Sequence, residues 1–297
     1  MGTQFKGVFL RDTLQDKGIE PSVGSIYCSP DIILSKTESQ DPANDFGDWN
    51  SNYNSALEFG QDNYVYVRCQ NTASEQRTGT VHVYWCPVSL SLHPSEWLQN
   101  KLKTRAGDDS VTFTSMNPKE KRVADVPFII TPPKNTHVCL VAIATDEEHS
   151  RGLLPDTTNV ADWVNWVRNH ANAAWKNLAV VNTQPDKSYH FVTNITNPDQ
   201  ESLDFQIKTS LQNALVGTTI ENEVELAGQS VHHQEVTNPD DSTLDYRIMI
   251  PPGNYELDVN ITSPENQNLP SDLVIDITAS VPGHGEISGV KVQLTDA

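Results

Sequence analysis

In the second half of the chain, apolar and polar residues alternate within short runs. Between Leu203 and Ile207, and again between Leu244 and Ile248, every second side chain is apolar. A period of two is typical of a β-strand that buries one face, whereas a helix repeats every ~3.6 residues. The same reasoning predicts these strands: Tyr189–Thr193, Leu203–Ser210, Thr219–Leu226, Ser230–Val236, Leu244–Ile250, Tyr255–Ile261, Leu273–Ser280 and Val290–Leu294.

A short polar phrase recurs between these runs. It reads Asn197-Pro198-Asp199, then Asn238-Pro239-Asp240 and, more loosely, Ser263-Pro264-Glu265. Asn and Asp hydrogen-bond their own backbone in turns, and proline fixes one backbone angle that turns require. Each phrase therefore predicts a hairpin of two strands. Strands with turns every 8–12 residues or so indicate a β-sandwich of immunoglobulin-like size.

The first half also predicts strands. Asn63–Cys69 and Thr80–Val88 are rich in β-formers and flank a polar turn, which indicates a hairpin. Val126–Ile130 and His137–Ile143 are two further strands, separated by a proline-rich turn. Residues 1–152 are thus predicted to form a first β-domain.

The period changes between the two halves. Apolar residues from Val160 to Trp175 recur three and four positions apart, which is the spacing of a helix. We therefore predict an all-β protein with two immunoglobulin-like antiparallel β-sandwich domains, 1–152 and 180–297, joined by a helical connector at 153–179. A short helix at Pro94–Leu102 is predicted as an insertion in the first domain.

The first half resembles bacterial immunoglobulin-like domains of the CARDB type. The resemblance is carried by Gly60–Arg68, by Asn71 shortly after it, and by Thr80–Trp85. Ser29–Ile32 is similar to the opening of such domains, and the Asn-Pro-Asp phrases of the second half are similar too. The resemblance covers about two thirds of the chain. It implies a sandwich that serves secreted or surface proteins as a binding or spacing module, and it carries over no catalytic residue.

The charge balance limits the choice of partners. The 297 residues include 20 Lys and Arg against 39 Asp and Glu, a formal net charge of −19. So acidic a surface repels nucleic acid and anionic lipid, and it serves either solubility or the binding of a cation or basic partner. Membrane insertion is not expected, because no run approaches the ~20 apolar residues of a membrane span. The first residues lack the pattern of a signal peptide. This predicts a cytoplasmic protein, one exported by another route, or an extracellular one whose signal was removed.

The residues typical of catalysis do not form a motif. The sequence has no Gly-x-Ser-x-Gly, His-Glu-x-x-His or Gly-x-Gly-x-x-Gly. His232 and His233 are neighbours on a predicted strand, so they face opposite sides and cannot easily share a metal. The four cysteines include no Cys-x-x-Cys pair and are expected to be buried free thiols, with one or two disulfides as the alternative in an extracellular protein. We therefore predict a non-enzyme without a cofactor, apart from calcium.

The segment 41–54 is the candidate for a ligand site. It crowds side-chain oxygens into one loop, and Ca²⁺ takes about six to eight oxygen ligands. The predicted calcium ligands are Asp41, Asp45, Asp48 and Asn50. The same loop combines Asn residues with two aromatic side chains, a composition found in carbohydrate sites, and the predicted sugar-binding residues are Trp49 and Tyr53.

These features predict a binding, adhesion or structural module without enzymatic activity. It would act through sandwich edges and loops on a protein partner or a larger assembly. A calcium- or carbohydrate-binding, lectin-like protein is the first alternative. An accessory subunit of a bacterial toxin or secretion machine is the second.

Overall fold

The regular secondary structure of the protein is mostly β-strand, as the sequence predicts. A computed structural model describes residues 2–53, 57–58, 60–87, 97–132, 138–150, 160–182, 186–226, 228–238, 242–265 and 267–295. The chain divides into two compact units, with the main division between Asn177 and Leu178. None of the helices within these ranges is long and apolar enough to cross a membrane.

The first unit contains two packed sheets. Its strands are β1 (Thr3–Gln4), β2 (Val8–Phe9), β3 (Ile19–Glu20), β4 (Ile32–Ser35), β5 (Asn63–Asn71), β6 (Arg77–Pro87), β7 (Lys103–Thr104), β8 (Val111–Met116), β9 (Lys121–Val123), β10 (Phe128–Ile130), β11 (Val138–Thr145) and β12 (Ala173–Lys176). Its helices are α1 (Pro42–Phe46) and most of α2 (Val160–Arg168). In one of the two packed sheets β5 pairs with β2, β4, β9 and β10, and β7 pairs with β10; the other has the order β12-β11-β6-β8. Strands β1 and β3 form a separate two-stranded sheet.

The core of this unit lies between the two sheets. Val65 and Val67 of β5 meet Val83 of β6 and Leu140 of β11 in one buried cluster. The alternating side chains of β5 point to the opposite face, where Tyr66 packs in a second, smaller cluster. Both faces of β5 are therefore covered, which explains the unbroken apolar and aromatic run Tyr64–Val67 within it.

The predicted hairpin of β5 and β6 is wrong, because the two strands lie in different sheets. The chain turns between the sheets directly after Asn71. The Asn71 side-chain amide donates to the carbonyl oxygens of Glu75 and Met116 at 2.8 and 2.9 Å, and its oxygen accepts from the Ala73 N–H at 2.9 Å. One buried side chain thus satisfies three backbone groups that the turn would leave unpaired.

The second unit is also a two-sheet sandwich. Its strands are β13 (Leu178–Asn182), β14 (Ser188–Asn197), β15 (Leu203–Gln212), β16 (Thr219–Leu226), β17 (Gln229–Val236), β18 (Thr243–Ile250), β19 (Gly253–Thr262), β20 (Val274–Val281) and β21 (Gly285–Thr295). One sheet has the order β13-β21-β20-β15-β18 and the other β14-β19-β16-β17. All eight strands predicted for this half are confirmed. The sequence missed β13, which pairs in parallel with β21.

The three Asn-Pro-type phrases join strands of different sheets, so the predicted hairpins are wrong here as well. They follow β14, β17 and β19, whose successors β15, β18 and β20 belong to the other sheet. Asn197 repeats the bonding pattern of Asn71. Its amide donates to the carbonyls of Glu201 and Ile250 at 2.9 and 2.8 Å, and its oxygen accepts from the Asp199 N–H at 3.0 Å. Pro239 and Asp240 lie outside the described residues.

Both predicted helices end earlier in the chain than their sequence periodicity suggested. Of the stretch 153–179, helix α2 occupies Val160–Arg168, residues 153–159 lie outside the described ranges, and Ala173–Lys176 is strand β12, paired with β11. A short apolar run such as Ala173–Trp175 can form either a buried helix segment or a strand that is buried on both faces, and its periodicity does not distinguish the two. Of the helix predicted at Pro94–Leu102, residues 94–96 are not described. At its predicted end, the Leu102 N–H donates to the Val83 carbonyl of β6, which is a bond to a neighbouring strand and not within a helix. The division into two domains and a separate connector stays a prediction.

Replacing Asn197 by alanine should lower the free energy of unfolding by about 2–3 kcal/mol, since it leaves buried backbone groups without partners. Urea unfolding followed by circular dichroism would measure this loss. The matched control is Asn268→Ala, because Asn268 is exposed and should change stability little. Equal effects of the two substitutions would contradict the role given to Asn197.

Candidate functional site

The loop predicted as a ligand site is anchored on a buried cluster of charges. Asp31, which directly precedes β4, is fully buried between Arg11 and Arg68. Arg11 Nη2 lies 2.6 Å and Arg68 Nε 2.9 Å from Asp31 Oδ1, and the Arg11 backbone N–H donates to Asp31 Oδ2 at 2.7 Å. The pairing of Ile32 with Val67 brings Asp31 beside Arg68. Charges so far from water persist only when they are paired and hydrogen-bonded.

The two arginines then hold the loop by its backbone. Arg68 Nη1 and Nη2 donate to the carbonyl oxygens of Asp48 and Ser51, each at 2.6 Å. Arg11 Nη1 donates to the carbonyl of Trp49 at 2.7 Å. Burial lowers the pKa of Arg68, and this effect outweighs the nearby negative charge of Asp31, which raises it. Arg11 and Arg68 share one carboxylate, so the partial negative charges of the three loop carbonyls help to stabilise the second positive charge.

The predicted calcium ligands serve local turn bonds in the structure. Asp41 caps α1 by accepting from the Asn44 N–H at 3.2 Å, and Asp45 accepts from Ser39 Oγ at 2.6 Å. Asp48 accepts from Ser51 Oγ and from the Asn50 N–H, and these bonds lower its pKa. Among the described residues, no three His, Cys, Asp or Glu side chains gather closely enough to hold a metal ion. Calcium binding by Asp41, Asp45, Asp48 and Asn50 stays a prediction.

The two predicted sugar-binding residues lie near one guanidinium: Arg68 Cζ is 5.4 Å from the centroid of the Trp49 ring and 5.5 Å from that of the Tyr53 ring. Sugar binding by Trp49 and Tyr53 stays a prediction. The Trp49 ring lies over the Arg11 guanidinium, 3.6 Å from its centroid, and forms part of the wall of a groove of about 620 Å³. Tyr53 instead packs edge-on against Phe46, with 5.5 Å between ring centroids. The groove also presents Phe9, Leu14, Gln4, Gln15, Gln70 and Lys119. It therefore combines an aromatic wall with side-chain amides.

Two buried ionisable groups nearby were not foreseen from the sequence. Lys176 Nζ donates to the carbonyls of Ser29 and Ile32 at 2.9 and 2.6 Å, and burial lowers its pKa to about 7. Asp12 accepts from Ser22 Oγ at 2.7 Å, and burial raises its pKa to about 8. Only the position of Lys176 within an apolar run hinted at burial, and Asp12 gave no signal.

In the second unit, strand β17 is an exposed edge. Along its whole length it pairs with β16, and no second neighbour is found within the described ranges. Its residues are exposed, except for Val231 and His233, which are half-buried. An edge of this kind presents unpaired backbone N–H and C=O groups.

The register shows which backbone groups of β17 point outward. The Thr237 N–H donates to the Thr218 carbonyl at 2.8 Å, so this pair is hydrogen-bonded. Hydrogen-bonded and non-hydrogen-bonded pairs alternate along antiparallel strands. The N–H and C=O groups that point away from β16 therefore belong to Ser230, His232, Gln234 and Val236.

The outer face of the same sheet is acidic. Glu221 and Glu223 of β16 lie beside Asp258 of β19, and His190 Nε2 is 2.8 Å from an oxygen of Asp258. These side chains line a shallow depression of about 390 Å³ together with His232. The expectation that His232 and His233 face opposite sides is confirmed, because the His233 ring stacks on the buried Tyr246 at 3.7 Å.

Comparisons with known proteins give only weak similarities. No protein-family model and no curated protein matches the chain. The collagen adhesin CNA from S. aureus aligns with 82% of this chain and 90% of its own, at 11% identity and a TM-score of 0.27. The CupB6 tip adhesin from Pseudomonas aeruginosa aligns over 80% and 91%, at 8% identity and a TM-score of 0.23. Red sea bream transglutaminase aligns over 90% of this chain and 31% of its own, at 9% identity and a TM-score of 0.22. Similarity this low does not transfer an activity from one protein to another.

Proposed function

We propose that the protein is a binding module without enzymatic activity, and that its second unit binds an extended segment of a partner protein along β17. The observation that carries this proposal is the row of outward backbone groups on β17, at Ser230, His232, Gln234 and Val236. An added strand would make main-chain hydrogen bonds to this row, which is the recognition mode known as β-augmentation.

The surroundings of β17 favour a basic segment. Glu221 and Glu223 on the neighbouring strand share the outer face with His232 and Gln234. The chain as a whole carries a formal charge of −19. These two carboxylates lie two strand spacings, about 10 Å, from a strand added to β17, so they would attract a basic segment through the field of the acidic face and not through direct cross-strand pairs. The partner segment should therefore carry a net positive charge.

A proline at position 234 should weaken this binding strongly without unfolding the protein. The Gln234 N–H points away from β16, so Gln234→Pro removes a donor from the open edge and leaves the ladder to β16 intact. A random peptide display library would be selected against the wild-type chain. The selected peptides should bind Gln234→Pro at least tenfold more weakly, which corresponds to about 1.4 kcal/mol.

The matched control is Gln234→Ala, which removes the same side chain but keeps the N–H. It should bind the peptides as the wild type does, and circular dichroism should show both variants folded. Equal affinity for the proline and alanine variants would exclude strand addition at β17.

Carbohydrate binding in the groove beside Trp49 is a second candidate, favoured by its aromatic wall and by the amides of Gln15 and Gln70. Sugar hydroxyls need such donors and acceptors, and an apolar ring covers a sugar face. A glycan array should yield ligands whose affinity falls about tenfold in Gln70→Ala. Gln76→Ala is the control, because Gln76 is exposed and is not among the groove residues. Array ligands that bind both variants equally, or no ligand at all, would count against a sugar site.

Kinship with CARDB-type domains belongs to this proposal. It is supported by Asn71 and Asn197, each of which follows a strand at the point where the chain passes to the other sheet. In both, the side-chain amide donates to two backbone carbonyls. A shared turn of this kind is a structural resemblance, and it adds no catalytic role.

A further inference from the structure

We propose that Cys86 and Cys139 form a reversible disulfide that ties together the two central strands of one sheet in the first unit. The observation is their register: Cys86 of β6 lies directly opposite Cys139 of β11. Both residues are buried, and in the structure neither is in a disulfide.

The backbone geometry suits such a bond. The Val83 carbonyl accepts from the Leu102 N–H, and the Trp85 N–H donates to the Asn100 carbonyl. Both hydrogen bonds lie on the side of β6 that faces away from β11. By alternation, the backbone groups of Cys86 point toward β11, so Cys86 and Cys139 form a hydrogen-bonded pair. Its Cα atoms are then about 5.5 Å apart, within the ~4.4–6.8 Å that disulfides span.

The side chains also share a face of the sheet. Val83 and Leu140 point into the sandwich core. Side chains alternate between the two faces of a strand, so Cys86, three positions after Val83, and Cys139, directly before Leu140, both point to the opposite face. Opposite Cβ atoms of a hydrogen-bonded pair lie about 5.5 Å apart, and a disulfide needs about 3.5–4.5 Å. The two strands must therefore approach by about 1–2 Å here, one position before the last pair of the ladder, Pro87 with Val138.

The surroundings indicate when the bond would form. Cys139 Sγ donates to Asn177 Oδ1 at 2.9 Å, and both thiols are shielded from solvent. A buried thiol is unreactive toward external reagents. Oxidation would therefore take place as the strands assemble or when they open transiently.

The oxidant we name is a small disulfide such as oxidised glutathione. One thiolate of the pair attacks a glutathione sulfur, the glutathione disulfide bond breaks, and one reduced glutathione leaves with a proton. The second cysteine loses its proton and attacks the protein-bound sulfur of this mixed disulfide, which releases the second reduced glutathione. In total, two protein thiols are oxidised and one glutathione disulfide is reduced to two thiols.

The test is refolding of the full chain from urea in oxidised glutathione, with refolding in reduced glutathione as the reference. Free thiols are then alkylated, and the protein is digested without reduction and mapped by mass spectrometry. We expect two of the four cysteines to escape alkylation, a linked peptide containing Cys86 and Cys139, and a mass about 2 Da lower before alkylation. Dithiothreitol should reverse these changes.

Stability gives a second readout. The oxidised chain should unfold at a higher urea concentration than the reduced one, because the bond restricts the unfolded chain. This difference should vanish in Cys86→Ala and persist in Cys28→Ala. Alkylation of all four cysteines after oxidative refolding, or a linkage that includes Cys28 or Cys69, would overturn the proposal without the need for any variant.

Discussion

Replacing Asp31 by alanine is expected to lower the free energy of unfolding by about 3–5 kcal/mol, because it leaves buried positive charge uncompensated. Asp31 is the carboxylate that contacts both Arg11 and Arg68 within 3 Å or so. Without it, each guanidinium keeps its bonds to loop carbonyls but loses its ionic partner. The loop that contains Asp48 and Trp49 should loosen with the cluster.

Urea unfolding followed by tryptophan fluorescence would measure this effect, since all six tryptophans precede Leu178. The control is Lys36→Ala, which removes a partly exposed ion pair with Glu58 at 3.7 Å. Exposed pairs of this kind contribute less than about 1 kcal/mol. A loss for Asp31→Ala as small as the loss for Lys36→Ala would show that the cluster does not stabilise the fold.

The second large effect is a loss of stability with rising pH, caused by Asp12. Its pKa is about 8 in the folded chain, and the ordinary value is 3.8. The folded state therefore holds a proton between about pH 4 and pH 8 that the unfolded state has released. The contribution is fully present below pH 4 and is lost as the pH rises toward 8. Each pH unit in this window changes the free energy of unfolding by about 1.4 kcal/mol.

The variant Asp12→Asn removes this pH dependence, because its amide stays neutral. Between pH 5 and pH 7 the wild type should lose about 2–3 kcal/mol relative to the variant. This interval lies below the range in which Lys176, whose pKa is about 7, begins to contribute in the opposite direction. Asp125→Asn is the control, because Asp125 is exposed. Parallel pH profiles for the wild type and Asp12→Asn would contradict a protonated Asp12.

The local structure of this chain could be predicted well from its sequence. Alternation identified every strand from β14 to β21, because in most of them one face is more deeply buried than the other. The pairing of these strands could not be predicted in the same way. A turn that contains Asn197 looks the same in sequence whether it closes a hairpin or crosses between sheets. The difference lies in the carbonyls that the side chain reaches, and one of them belongs to Ile250.

The candidate site was predicted only in part. The loop around Asp48 and Trp49 was identified by its composition, but its anchors were not, because Arg11 and Arg68 are distant in sequence and carry the charge usual for a surface residue. The buried Asp31 that pairs them lies in the Ser29–Ile32 segment, which was noted only as a resemblance. Charged residues are almost never fully buried unless they are paired, and pairing is a property of the tertiary structure.

The most direct test of the proposed function is amide-resolved hydrogen exchange of the full chain, with and without a peptide selected from the display library. We expect exchange to slow at Ser230, His232, Gln234 and Val236 in the complex, because their N–H groups would donate to the added strand. The intervening amides of β17 already bond to β16 and should change less. Protection elsewhere in the chain, with these four amides unchanged, would contradict binding along β17.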